Sequence, residues 1–223
     1  MRIALLGGTG DIGEGLALRW GVGTDHELAV GSRDAEKASR AAADYRETIA
    51  ERGADATVVG ASNADATEGA DVVVLSVPPD HVVATIESVA DTLADGAIVV
   101  SPAVAMARDG DGFHYDRPET ADSVTAVAAR AVPDGVAVVG AFHNLSANRL
   151  ATLDAPLGVD TLVVGDDEDA AATVADLAEQ IEGLRAVRAG PIANAAEVEG
   201  LTPLLINVAT NNDGMHHLGV RFE

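Results

Sequence analysis

The run Ile3-Ala4-Leu5-Leu6-Gly7-Gly8-Thr9-Gly10-Asp11-Ile12-Gly13 constrains this chain more than any other stretch. An apolar, β-prone segment leads into Gly8-x-Gly10-x-x-Gly13, and Ile12, Leu16, Ala17 and Trp20 follow at the spacing of one buried helical face. The glycines answer three demands in turn: a tight turn out of the strand at Gly8, close backbone approach to a pyrophosphate at Gly10, and close helix-on-sheet packing at Gly13. Unpaired amides and the helix dipole at the helix start favour a phosphate. With Leu28-Ala29-Val30-Gly31-Ser32-Arg33 as the next strand, the segment predicts a βαβ unit that binds a dinucleotide.

The end of that second strand selects the nucleotide. A carboxylate there holds a free ribose 2′-hydroxyl, whereas arginine holds a 2′-phosphate. This chain places Ser32 and Arg33 there, with Lys37 one helical turn later, which predicts NADP. Lys37 is the single lysine of the sequence, and the other 13 basic residues are arginine. Against 14 basic residues stand 36 Asp and Glu, a net charge of -22. Such a surface repels itself in dilute buffer, but near 1 M salt the screening length shrinks to ~3 Å. A halophile-type surface is therefore expected, and nucleic acid is excluded as a partner because no basic stripe is present to neutralise its phosphates.

Strand-like and helical runs alternate along the 223 residues, which predicts an α/β fold: a Rossmann-like parallel sheet with helices on both faces, plus a small C-terminal α/β segment. Strands are expected near 2–7, 27–31, 56–60, 71–77, 96–100, 136–140, 160–164 and 185–188, and helices near 11–21, 34–51, 80–93, 119–131, 168–181 and 194–209. Residues 1–142 would form the NADP-binding domain and 143–223 a segment completing a second cleft. Arg108-Asp109-Gly110-Asp111-Gly112-Phe113 reads as a flexible acidic turn, since it lacks the ligand set of a calcium loop. The chain has no cysteine, which removes thiolate catalysis and cysteine-held metals. Its longest apolar stretches are broken by Pro78 and Pro102, so no membrane span and a cytoplasmic location are expected.

Ligands in such a sheet lie beyond the carboxyl ends of the strands. The segments leaving them here, Ser76-Val77-Pro78-Pro79-Asp80-His81, Ser101-Pro102-Ala103-Val104 and Gly140 to Asn148, are apolar or prolyl and carry few acids or bases. That poverty suits hydride transfer between two bound coenzymes, where the protein supplies position and a dry site.

Several blocks carry a more specific likeness: residues 1–10, Gly15-Leu16-Ala17-Leu18-Arg19, Val30-Gly31-Ser32-Arg33 with Lys37, and Val99-Val100-Ser101-Pro102. Gly183-Leu184-Arg185 with Ala189-Gly190-Pro191, Leu201-Thr202-Pro203-Leu204 and the tail through Leu218-Gly219-Val220 extend it to the end of the chain. Together they resemble the F420-dependent NADP oxidoreductases (NADPH-dependent coenzyme F420 reductases) of archaea, here of haloarchaeal type. The resemblance implies an oxidoreductase moving a hydride reversibly between NADP(H) and the deazaflavin coenzyme F420, as a homodimer with no metal. It implies that Thr9, Gly10, Asp11 and Ile12 lie along the pyrophosphate and that Ser32, Arg33 and Lys37 hold the 2′-phosphate. Val77, Pro79, Val83, Ala105 and Ala147 would line the coenzyme cleft. His143 would sit beside the nicotinamide and deazaflavin rings with Leu145 as the apolar neighbour, and Leu218 would meet the deazaflavin through its backbone. The chain departs from the family pattern at Pro79, at Thr210-Asn211-Asn212-Asp213 and at His216-His217.

From the residues alone His143 reads equally as a buried structural histidine. Two other functions stay open: an NADP-dependent reductase of a small oxo-acid or imine, needing a Lys or His–Asp relay at the nicotinamide, and a non-catalytic NADP-sensing module, lacking a second ligand cleft.

Overall fold

The computed structural model describes residues 1–223. Its strands are β1 (Arg2–Leu6), β2 (Glu27–Ser32), β3 (Val58–Ser62), β4 (Val72–Leu75), β5 (Ile98–Ser101), β6 (Met106–Asp109), β7 (Gly112–Tyr115), β8 (Ala137–Gly140), β9 (Val159–Gly165) and β10 (Leu184–Gly190). Its helices are α1 (Asp11–Gly23), α2 (Ala35–Glu51), α3 (Asn63–Thr67), α4 (Val82–Val89), α5 (Val124–Ala131), α6 (Ala147–Ala151), α7 (Glu168–Glu179), α8 (Ala195–Glu199) and α9 (Leu201–Thr210).

Eight strands form one sheet in the order β10-β9-β8-β5-β4-β1-β2-β3. The chain winds outward from β1 through β2 and β3, then restarts at β4 on the other side. The carboxyl ends of β1 and β4 therefore open a crevice where the winding reverses. All neighbours run parallel except β8 and β9, which pair antiparallel through Val139 with Gly165 and Gly140 with Val164. The expected C-terminal α/β unit is thus an extension of the same sheet whose two strands run the other way.

Alternation along the central strands builds the two cores. Ile3 and Leu5 face a cluster with Leu16 and Trp20 of α1, Tyr45 of α2 and Leu177 of α7, whereas Ala4 and Leu6 face α4 and α5 through Ile86 and Ala128. Both faces are covered, so these strands read as continuous apolar runs. Trp20 joins the halves of the sheet: its indole donates to the Leu177 carbonyl at 2.9 Å, and its ring meets Phe142 edge-on at 5.9 Å.

Two short helices, α3 and α6, lie where none was expected, and three further elements differ from the sequence expectation. Met106 to Tyr115 form an antiparallel hairpin, β6–β7, whose tip is the acidic turn. The helix expected over 194–209 is split into α8 and α9 at Gly200. The helix expected over 119–131 begins only at Val124, where the Ser123 hydroxyl caps the Ala126 amide. No helix is long and apolar enough to cross a membrane.

Candidate functional site

Three hollows follow one another along the carboxyl edge of the sheet, each walled by residues that leave its strands. The first, of about 360 Å³, lies among Gly7, Thr9 and Gly10 after β1, Ser32, Arg33 and Lys37 after β2, Asn63 of α3, and Ser76 to Pro78 after β4. The second, of about 290 Å³, shares Gly10, Ser76 and Val77 with the first and adds Asp11, Ile12, Pro79 and Pro102 to Val104. The third, of about 820 Å³, shares Ile12 with the second and is walled by Met106, Asn144 to Ala147, one face of α9, and Gly214 to Leu218 of the C-terminal tail.

The glycine loop is built by backbone geometry. The sharp turn out of β1 falls on Gly7, one residue before the expected Gly8: its φ is +71°, and a Cβ there would lie 2.4 Å from the Ser76 carbonyl oxygen. Gly8 and Gly13 are buried packing positions, since a Cβ on Gly13 would come within 2.5 Å of the Gly8 Cα. The Gly8 carbonyl accepts the Tyr45 hydroxyl at 2.9 Å, tying the loop to α2. Thr9, Gly10, Asp11 and Ile12 reach the hollows, and α1 opens on Gly10 with no side-chain cap, leaving its first amides for a ligand.

At the far end of the first hollow Arg33 and Lys37 are exposed and form no ion pair within the chain. Asp34 caps α2 by accepting the Lys37 amide at 3.0 Å, and the Ser32 hydroxyl accepts the Asp34 amide at 3.1 Å. These bonds fix the turn that presents both cations. Asn63, which the sequence reading did not single out, adds a buried side-chain oxygen that no protein donor reaches. Two cations, free amides and this acceptor match the donor and acceptor needs of a phosphorylated adenosine.

Val77 lines the first two hollows and Pro79 the second, and Leu145, Ala147 and Leu218 line the third. Val83 and Ala105 line none of them: Val83 is exposed on α4, and Ala105 packs beside the smaller core. Nor does the ring of His143, whose side chain is fully enclosed. Its backbone carbonyl accepts the Thr202 hydroxyl at 2.8 Å, and its Nε2 lies 3.3 Å from the Thr125 hydroxyl. The buried Glu199 accepts the Val124 and Thr125 amides and the Thr125 and Tyr115 hydroxyls at 2.8–3.0 Å. With its proton given to Glu199, the Thr125 oxygen can only accept, so the network assigns the His143 proton to Nε2. Desolvation holds the imidazole neutral, its pKa drawn down to about 3. Burial pushes the Glu199 carboxyl above its ordinary range, opposed by those four donors. The wall facing the large hollow is formed by the next residues, Asn144 and Leu145. They are turned there by Phe142, a non-glycine residue at φ +67° held by a bond from its amide to the Thr161 hydroxyl.

Residues 2–105 match the model of a family described as NADP oxidoreductase, coenzyme F420-dependent. The chain is 40% identical over 222 residues to the F420-dependent NADP reductase of Methanothermobacter thermautotrophicus, covering 99% of this chain and 94% of that protein. It is 41% identical over 223 residues to that of Methanothermobacter marburgensis, covering 99% and 97%. The chain belongs to the F420-dependent NADP oxidoreductase family. This oxidoreductase also shares its fold with solved structures. One, from Arthrobacter sp. FB24 and described as a candidate F420-dependent NADP reductase, superposes with a TM-score of 0.79 at 24% identity, covering 100% of this chain and 99% of that one. An imine reductase from Bacillus cereus BAG3X2 gives a TM-score of 0.57 at 18% identity, covering 94% of this chain but 59% of that one.

Proposed function

We propose that this F420-dependent NADP oxidoreductase moves a hydride reversibly between NADP(H) and the deazaflavin coenzyme F420. The observation that carries the reading is the line of three hollows: a phosphate-binding end with two free cations leads, through the shared Ile12, to a large hollow with apolar walls. NADP would lie with its 2′-phosphate on Ser32, Arg33 and Lys37, its pyrophosphate on the amides from Thr9 to Ile12, and its nicotinamide near Val77, Pro79 and Pro102. The deazaflavin would occupy the third hollow against Leu145, Ala147 and Leu218. Residues 1–142 then form the NADP half and residues 143–223 complete the deazaflavin cleft. A hydride leaves carbon 4 of NADPH for carbon 5 of the deazaflavin, a solvent proton completes the reduced ring, and NADP+ departs. The chain's contribution is alignment and exclusion of water; His143 acts from behind the wall, by holding Asn144 and Leu145 in place.

An oxo-acid or imine reductase fits less well. The single lysine lies at the phosphate end, and the pairing of His143 with Glu199 is sealed from the cleft. A sensing module would not need the third hollow. We extend the proposal to a cytoplasmic archaeal homodimer adapted to high salt, supported by the net charge of -22 and by the thinly covered apolar helix α9, whose Leu204 is half exposed. The test is to mix enzyme, NADPH and oxidised F420 in molar salt and follow the deazaflavin's visible absorbance. Bleaching at a catalytic rate is expected, and NADPH binding without bleaching contradicts the reading.

A further inference from the structure

Asp160 lies near the start of β9, in register with Arg185 of β10, and is 1% exposed. Its carboxylate receives a two-pronged contact from Arg185 of β10, Nε to Oδ1 at 2.9 Å and Nη2 to Oδ2 at 2.6 Å. The same Oδ2 accepts the Phe222 amide at 2.6 Å, and Arg185 also donates to the Phe222 carbonyl. The Asp160 amide donates to the Val220 carbonyl at 2.8 Å, a lone antiparallel bridge. On its other side the Asp160 carbonyl accepts the Asn144 side-chain amide at 2.7 Å. Between these anchors Gly219 lies so close to β9 that a Cβ would fall 2.4 Å from Val159.

The tail held in this way carries Gly214, His216, His217 and Leu218 onto the large hollow, which Asn144 also lines. No such role follows from the packing of the cores, because the tail residues 214–218 are at most half-buried and belong to no hydrophobic cluster. Neutralising this buried carboxylate would loosen the tail at Phe222, whereas the bond to Asn144, made by the Asp160 backbone, would remain.

We propose that Asp160, with Arg185 as its counter-ion, is a positioning residue for the deazaflavin hollow: its carboxylate clasps the C-terminal tail while its backbone holds Asn144. The inference rests on the proposed assignment of that hollow to F420. Hydrogen bonding from Arg185 also keeps the Asp160 carboxyl below its ordinary range, so the clasp stays charged at neutral pH. Arg185 touches none of the three hollows, and Asp160 lines none of them, so any effect on ligand binding passes through the tail and Asn144.

The experiment compares wild type with Asp160→Asn, Arg185→Ala and Arg185→Lys in molar salt. Affinity for oxidised F420 is read from deazaflavin fluorescence without NADPH, affinity for NADPH is read separately, and amide exchange is followed over residues 214–223. Asp160→Asn and Arg185→Ala are expected to weaken F420 binding by about tenfold or more, the loss of a charge-assisted hydrogen bond. NADPH affinity should stay unchanged and tail exchange should quicken, with Arg185→Lys in between. Equal loss of NADPH and F420 binding, or unchanged F420 binding in variants with a quickened tail, overturns the proposal. A wild type with no F420 affinity overturns the substrate reading and the proposal together, whereas normal wild-type binding with an unaffected Asp160→Asn overturns the proposal alone.

Discussion

At the scale of single residues, the proposed phosphate end is the part of the site most fully written in the sequence. Its chemistry depends on backbone amides and on two side chains close in sequence, Arg33 and Lys37, so spacing alone locates it. Arg33→Ala should lower the preference for NADP over NAD by about ten- to a hundredfold, the worth of one charge-assisted contact of roughly 1.5–3 kcal/mol, read as the ratio of kcat/KM values. His143 was less legible, because a histidine after a buried strand reads the same whether its ring faces a ligand or a core. The answer lies in Thr125 and Glu199, which come from distant segments. Its titration has a testable sign. The folded ring stays neutral down to about pH 3, while the unfolded ring protonates near pH 6.5, so the unfolded state binds the extra proton between those values. Stability from this residue is therefore complete above pH 6.5 and declines as pH falls toward 3. Urea melts across that window should show a shallower acid slope for His143→Gln than for wild type; parallel slopes would contradict the enclosed neutral ring.

At the scale of elements, the inner strands of the main sheet are visible as apolar runs, because strands covered on both faces need no alternation, whereas the edge strands β3 and β10 are partly exposed. The β6–β7 hairpin is not visible. Met106 to Asp109 are all exposed, and no periodic apolar pattern marks a ribbon of this kind. It is held by Asn207 of α9, whose amide group accepts the Phe113 amide at 2.8 Å and donates to the Phe113 carbonyl at 2.7 Å, as another strand would. Asn207 thereby braces the cleft's wall, since Met106 of the hairpin lines the large hollow. Asn207→Ala should cost about 1–2 kcal/mol and speed exchange of the Phe113 amide, with little change at β1. Similarly hidden was the anchoring of α6, whose carbonyls at Arg149 and Leu150 are capped by the buried guanidinium of Arg19 at 2.8 and 3.0 Å. An arginine on an otherwise apolar helical face gives no sign of its partners in a linear reading.

At the scale of the whole molecule, the order of strands follows from alternation and from the crevice between β1 and β4, but the reversal at β9 does not. Apolar patterning is the same for a strand and its reverse, so only the short return from β8 through α6 decides the direction. Charge acts at this scale as well. With -22 spread over 223 residues, the melting temperature should climb between 0.1 M and 2 M potassium chloride, most steeply where the screening length falls from ~10 Å toward ~3 Å; a flat response would count against adaptation to salt. The central claim is that one groove holds two coenzymes closely enough for direct exchange between their rings, a separation of about 3–3.5 Å. Its most direct measurement is a single turnover with NADPH deuterated at both carbon 4 positions, in ordinary water, with the reduced F420 examined by NMR. The account predicts one deuterium at deazaflavin carbon 5 per turnover, and hydrogen from solvent at that carbon would contradict it.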